Sequence, residues 1–225
     1  FQAEDGIRDF CLSRGLGDVY KRQPLVVGTR SGTQGLFDIT NNKTIDISNL
    51  SFNSSASPIF DGTNDGIIIP TTSFNRVNGQ ELTVEVIMKA GRTGGQYQDI
   101  AVNRSDAYYN WMLYQHASDG SIQLHGAGQY KSTYIPPIGQ YIHVVATVNA
   151  NQVSTLYING VVQQTVTSFS YAIMTTPDLL CIGVFGNSRY EPYLGNIDVV
   201  KIHDRAIPQS EVLKNYNNYK KRFNL

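Results

Sequence analysis

Residues 97–134 hold most of the side chains with which this chain could recognise or transform a small molecule. Tyr97, Tyr108, Tyr109, Trp111, Tyr114, Tyr130 and Tyr134 fall within 38 residues, and they are 7 of the 21 aromatics beyond residue 23. Asn103, Arg104, Asp106, Asn110, Gln115, His116, Gln123 and His125 interleave with them. Flat rings stack on the C–H surfaces of sugars, and planar polar groups bond the hydroxyls, so this mixture suits a carbohydrate platform. The candidate ligand set is Tyr114, His125, Gln123, Tyr97, Arg104 and Trp111.

Other chemistries find less support. Glu81 and Glu85 are the nearest carboxylate pair on a strand. Four residues of extended chain separate carboxyls by about 13 Å, too far for either glycosidase geometry. Glu85 reads instead as the solvent face of its strand. The four histidines have no metal-ligand spacing, and no G-x-S-x-G elbow is present. Asp61-x-x-x-Asp65-Gly66 resembles the start of a calcium loop. Its twelfth position would be Thr72 rather than Glu, and no helices flank it, which rejects an EF-hand.

Global properties narrow the classes further. Eighteen basic and eighteen acidic residues give a formal net charge of zero. A nucleic-acid or anionic-membrane surface needs a cationic excess. No apolar run approaches the ~20 residues that cross a bilayer, and no apolar stretch after the first residues reads as a secretory signal. The first 23 residues carry eight charges, and the other 202 carry 28. That opening stretch shows neither strand nor helix periodicity, and it resembles the in-frame translation of a sequencing-library adaptor. It is expected to add nothing to the fold. The resemblance implies an environmental, metagenomic source and a natural start lost near Pro24. Cys11 belongs to this stretch, so Cys181 stands without an intramolecular partner. It lies in an apolar run and reads as a buried thiol.

The elements that must position the aromatic cluster are strands. Leu82, Val84, Val86 and Met88 alternate with Thr83, Glu85 and Lys89 over Leu82–Lys89, and Tyr141–Asn149 alternates likewise. Ser154–Ile158 and Val161–Thr167 flank Asn159-Gly160, a pair suited to a type I′ hairpin turn. Further strands are expected at Thr44–Ser48, Gly66–Ile69, Ile100–Asn103, Trp111–Gln115, Ile122–His125, Leu179–Phe185 and Leu194–His203. About ten short strands without intervening helices indicate an antiparallel sandwich or barrel. One helix closes the chain. It has Pro208 in its first turn, a stripe of Val212, Tyr216, Tyr219 and Phe223, and Lys220, Lys221 and Arg222 at its C-terminal end. Alternation through Trp111–Tyr114 puts Trp111 and Leu113 on the core face, with Tyr114 opposite beside Gln123 and His125. If the strand faces the other way, Trp111 builds the platform.

Five stretches in order resemble the laminin-G-like branch of the concanavalin A-like lectin/glucanase superfamily. They are Phe60-Asp61-Gly62-Thr63-Asn64-Asp65-Gly66, Leu82–Val86, Tyr141–Val148, Leu156-Tyr157-Ile158-Asn159-Gly160 and Gly195–Ile207. Gly66 stands where the family pattern has an aromatic, and Tyr141 where it has Trp. The closing Glu211–Asn217 and Lys221–Phe223 resemble the tail of such domains in bacteriophage structural proteins.

The resemblance implies an all-β, antiparallel two-sheet jelly roll with a short C-terminal helix, occupying residues 24–225. With the natural start missing, Leu194–His203 is expected to present an unpaired edge. The glucanase carboxylate pattern E-x-D-x-x-E is absent, so no catalytic residue is expected. Relatives that carry a structural calcium ion suggest Asp61, Asp65 and Asp198 as oxygen ligands, while turn-forming and capping roles remain open for all three. His143 matches the family's strand histidine and reads as structural. The expected function is a non-catalytic carbohydrate-binding or adhesion module on a phage virion or bacterial, extracellular surface. Its partner would be a glycan or a surface protein, with neither nucleic acid nor membrane insertion. A structural, protein-docking decoration domain is the first alternative, and a glycoside hydrolase the second.

Overall fold

The computed structural model describes residues 25–26, 36–38, 43–45, 47–55, 57–172 and 179–225. The opening 23 residues, with the expectations attached to them, lie outside this set. The chain divides into two compact units, Phe1–Ser48 and Asn49–Leu225. In the first, β1 (Leu25–Val26), β2 (Leu36–Asp38) and β3 (Lys43–Ile45) pair antiparallel in that order.

The second unit holds the sandwich. Its strands are β4 (Ser51–Phe52), β5 (Pro58–Asp61), β6 (Ile67–Pro70), β7 (Leu82–Ala90), β8 (Gln98–Arg104), β9 (Tyr109–Gln115) and β10 (Ile122–His125). There follow β11 (Gln129–Lys131), β12 (Tyr141–Val148), β13 (Ser154–Ile158), β14 (Val161–Val166), β15 (Leu179–Ile182) and β16 (Leu194–His203). One sheet has six strands in the order β11-β10-β9-β8-β15-β6, and the other seven in the order β14-β13-β12-β7-β16-β5-β4. This is an antiparallel sandwich, as the strand pattern predicts, with the jelly-roll form that the family resemblance implies.

Period-two alternation builds the core. Leu82, Val84, Val86 and Met88 are wholly buried, and they register against Val148, Ala146, Val144 and Ile142 of β12. In the six-stranded sheet, Trp111 and Leu113 are fully buried on one face together with Ile122 and Leu124. Each such side chain contributes about 1.5–3 kcal/mol of burial.

Two glycines are required by close approach and by turn geometry. A Cβ on Gly66 would sit 2.2 Å from Val184 Cγ2, which explains why no aromatic stands there. Asn159 and Gly160 have φ of 51° and 80°, the two positive values of a type I′ turn.

The seven-stranded sheet departs from expectation in two ways. β16 is no edge, because it pairs with β7 on one side and β5 on the other. Glu85 is not on a solvent face, because it is wholly buried. The cause is α1 (Gln209–Phe223), which crosses the outer face of this sheet. Pro208 is its N-cap, in extended conformation, and Lys220, Lys221 and Arg222 occupy its last turn. Val212 packs with Ile207 against Val145 and Tyr157. Tyr216 stacks on His143 with ring centroids 6.2 Å apart, and Phe223 meets Tyr141 at 5.3 Å. The apolar helical stripe is thus the lid of a strand face that would otherwise be wet, and β7 is buried on both sides.

Candidate ligand-binding face

The outer face of the six-stranded sheet carries the aromatic cluster. Tyr114 pairs with Gln123, and Met112 with His125, so strand alternation brings these four to one face, opposite Trp111 and Leu113. Two β-bulges add residues that alternation alone would send inward. Ile100 is the extra residue between the Asp99–Tyr114 and Ala101–Leu113 pairs, and Asn110 between the Asn103–Trp111 and Arg104–Tyr109 pairs. A bulge reverses the in–out order of the residues beyond it. Asp99 and Tyr109 therefore join Tyr114 on the outer face.

The result is a strip of rings in contact. Ring centroids lie 5.1 Å apart for His116–Tyr97, 5.9 Å for Tyr97–Tyr114, 5.9 Å for Tyr114–His125 and 5.2 Å for His125–Tyr109. Tyr97, Tyr109, His116 and His125 are half-buried. Tyr114 and Gln123 are buried at 3% and 0% exposure, and the tyrosine hydroxyl donates to Gln123 Oε1 at 3.0 Å. Both therefore support the strip from below rather than standing open on it, as Tyr114 was expected to do. Burial, aided by the charge of Arg104, pushes the His125 imidazole down to about 4, so it is neutral near pH 7.

Beside the strip lies an ionic pair. Arg104 Nη1 meets Glu191 Oε2 at 3.3 Å, with the two side chains 20% and 27% exposed. The guanidinium lies 3.5 Å from the centre of the Phe185 ring and 6.0 Å from that of Tyr109. Glu191 arrives on the loop after β15, tied to β8 where the Asp99 N–H donates to the Glu191 carbonyl at 2.9 Å. Behind the pair, Asp99 is 1% exposed. Burial first, then repulsion from Glu191, holds its carboxyl well above the usual carboxylate range, against the opposing charge of Arg104. Burial also raises Glu191, again opposed by Arg104.

The structure gathers Tyr97, Arg104, Tyr114, Gln123 and His125 on one face and excludes Trp111. Trp111 is 0% exposed and donates from Nε1 to the Phe74 carbonyl at 2.9 Å, so it is a core residue and not a ligand contact. Tyr109, His116, Phe185 and Glu191 were not in the expected set. For Tyr109 and His116 the aromatic density was a signal. For Glu191, 87 residues from Arg104, no local signal exists.

The proposed calcium ligands do not converge. The Asp61 amide donates to Asp65 Oδ2 at 3.0 Å, and Asp61 Oδ1 accepts from the Thr63 amide at 2.7 Å, so both carboxylates close their own turn. Asp198 is the bulged residue between Ile197 and Val199 on β16, whereas Asp61 registers with Leu194 at that strand's start. Among the described residues, no three His, Cys, Asp or Glu side chains form a metal cluster. Cys181 is fully buried, and burial raises its thiol to about 12.

Under α1, Glu85 anchors a second polar cluster. Its Oε1 lies 2.9 Å from His143 Nε2, and its Oε2 accepts from Asn215 at 3.1 Å and lies 3.6 Å from Lys201 Nζ. Burial alone would raise this carboxyl. The hydrogen bond with His143, the nearby His203 with Nε2 at 3.9 Å and the charge of Lys201 together outweigh burial and hold it well below its ordinary value.

Comparison with known proteins agrees with this architecture. The profile of the laminin G 3 family, of the concanavalin A-like lectin/glucanases superfamily, matches residues 61–213, and the chain belongs to that family. No curated protein matches it in sequence. Among the solved structures that share the fold are the following three. Domain 4 of AbnA, an extracellular arabinanase from Geobacillus stearothermophilus solved with arabinotriose, is 19% identical with a TM-score of 0.56 over 76% of this chain and 81% of that one. The binding domain of Paraclostridial Mosquitocidal Protein 1 is 18% identical with a TM-score of 0.65 over 87% of this chain. Trypanosoma rangeli sialidase, solved with the inhibitor DANA, is 13% identical with a TM-score of 0.61 over 84% of this chain. The chain spans 52% of the mosquitocidal domain and 31% of the sialidase.

Proposed function

We propose that this domain is a non-catalytic carbohydrate-binding module whose glycan lies across the outer face of the six-stranded sheet. The observation that carries this reading is the ring strip His116–Tyr97–Tyr114–His125–Tyr109 beside the Arg104–Glu191 pair. Half-exposed rings offer faces to sugar C–H groups, and neutral His125 with the Arg104–Glu191 pair offers donors and acceptors to hydroxyls. The arabinotriose seen with the arabinanase domain lends support by analogy of fold.

Hydrolysis is disfavoured by the same geometry. Glycosidases set two carboxyls on either side of a scissile bond, about 5–9.5 Å apart. Asp99 is buried beneath Glu191 and cannot reach a bound sugar. Display on a virion or an outer surface is the setting we propose for such a module, and flanking tail or capsid genes would support it.

A glycan array with the whole chain tests the reading. Tyr109→Ala and His125→Ala are expected to abolish any binding found while melting within a few degrees of the wild type. Binding that survives both substitutions would move the site elsewhere. An array without signal would favour a protein-docking role, and sugar release a hydrolase.

A further inference from the structure

We infer that Glu191 determines specificity on this face, reserving it for uncharged glycans by occupying the guanidinium that an acidic sugar would need. The inference rests on the carbohydrate-binding reading and narrows its ligand class.

Recognition of a sugar carboxylate calls for a free cationic fork, because paired N–H···O bonds from one guanidinium match a carboxylate in geometry and charge. Arg104 sits in the right place for that, next to Tyr109 and partly open to solvent. One arm of its fork is already committed. The Phe185 ring fixes the plane of the guanidinium at 3.5 Å, Nη1 also contacts Met112 Sδ at 3.3 Å, and the same nitrogen meets Glu191 at 3.3 Å. A carboxylate that pairs with the fork through Nη1 would have to displace Glu191. The displaced carboxylate stays within a side chain's reach of the site, because its backbone is tied to β8 through the Asp99 amide. It would remain beside the newcomer, and two carboxylates so arranged in a partly desolvated site repel each other. A neutral sugar meets no such cost, since its hydroxyls can bond the outward edges of the pair without separating it.

The test compares affinities for neutral and acidic oligosaccharides by calorimetry, using arabinotriose and lactose against 3′-sialyllactose and trigalacturonate, after the array has ranked them. The readout is the ratio of acidic to neutral affinity. The wild type is expected to favour neutral sugars by about tenfold or more, the scale of one charge-assisted contact. Glu191→Gln frees the fork and should raise the acidic-to-neutral ratio about tenfold or more. Adding Arg104→Gln should erase that gain. If Glu191→Gln melts below the assay temperature, Glu191→Asp, which withdraws the carboxylate by one methylene, should give a smaller gain in the same direction. A wild type that takes acidic sugars as tightly as neutral ones overturns the inference and leaves the binding reading intact. A folded Glu191 variant whose ratio does not move does the same. If neither protein binds any sugar although both melt cooperatively, the binding reading itself falls, and the inference with it.

Discussion

The two outer faces of the sandwich bury a carboxyl each and treat it in opposite ways. Under α1, Glu85 is surrounded by His143, His203, Lys201 and Asn215 and is held ionised. Beneath the ring strip, Asp99 faces Glu191, neither of its oxygens finds a donor with hydrogen-bond geometry among the described residues, and burial holds its carboxyl well above the usual carboxylate range. Burial raises a carboxyl in both places, and the partners decide whether that cost is overcome. The lidded face uses its charge to seat a helix. The open face disfavours the charge of its deepest carboxyl and leaves rings and one balanced ion pair at the surface. Structure is bought on one side with groups that on the other remain available to a ligand.

The largest break in this contrast should come from the core beneath the open face. Trp111→Ala is expected to cost about 3–5 kcal/mol, the price range for emptying a buried aromatic site. Tyr109→Ala, on the half-open strip, should cost far less. Urea midpoints measure both, and equal losses would mean that the strip is as structural as the core.

Opposite pH responses sharpen the comparison. Glu85 is ionised more readily folded than unfolded, so its contribution is fully present above its ordinary value near 4.5 and is lost progressively as pH falls from there through its lower folded value. Glu85→Gln should therefore destabilise strongly at pH 7, by about 3–5 kcal/mol as for a broken buried pair, and less at pH 3. Asp99 has the raised value, so its contribution is present below about 4 and lost as pH rises through its folded value. Asp99→Asn should raise the melting temperature, with a larger gain at pH 8 than at pH 4. A loss at pH 8 would show that Asp99 is ionised and usefully paired.

Smaller effects probe the lid. Gly160→Val should cost about 1–3 kcal/mol, because a β-branched residue would be held at positive φ. A Cβ there would also sit 3.1 Å from Leu213 Cδ1 and 3.4 Å from Tyr216 Cδ1, crowding α1. A neutral urea midpoint would contradict the type I′ turn. Smallest of all, deleting residues 1–23 should leave the urea midpoint unchanged within error. A shift of several kcal/mol would show that this opening belongs to the fold.

What could be read from the amino-acid sequence was what local periodicity writes. The alternation of Leu82, Val84, Val86 and Met88 located a core face, Asn159-Gly160 a hairpin, and the stripe from Val212 to Phe223 a helix with one side to bury. Leu113 and Tyr114 were assigned to opposite faces by the same rule, and Trp111 followed Leu113 into the core. Non-local events lay outside that reach. Glu85 looked like a solvent residue because its partner Asn215 is 130 residues away, on a helix whose docking place the stripe did not specify. Asp99 and Tyr109 needed bulges at Ile100 and Asn110, each a one-residue slip that reverses facing and leaves no mark in the hydrophobic pattern. Glu191 reached Arg104 on a returning loop. Side-chain alternation is a property of one strand, but which charges meet depends on register, bulges and loop return, and those are settled only when the sheets and the helix pack.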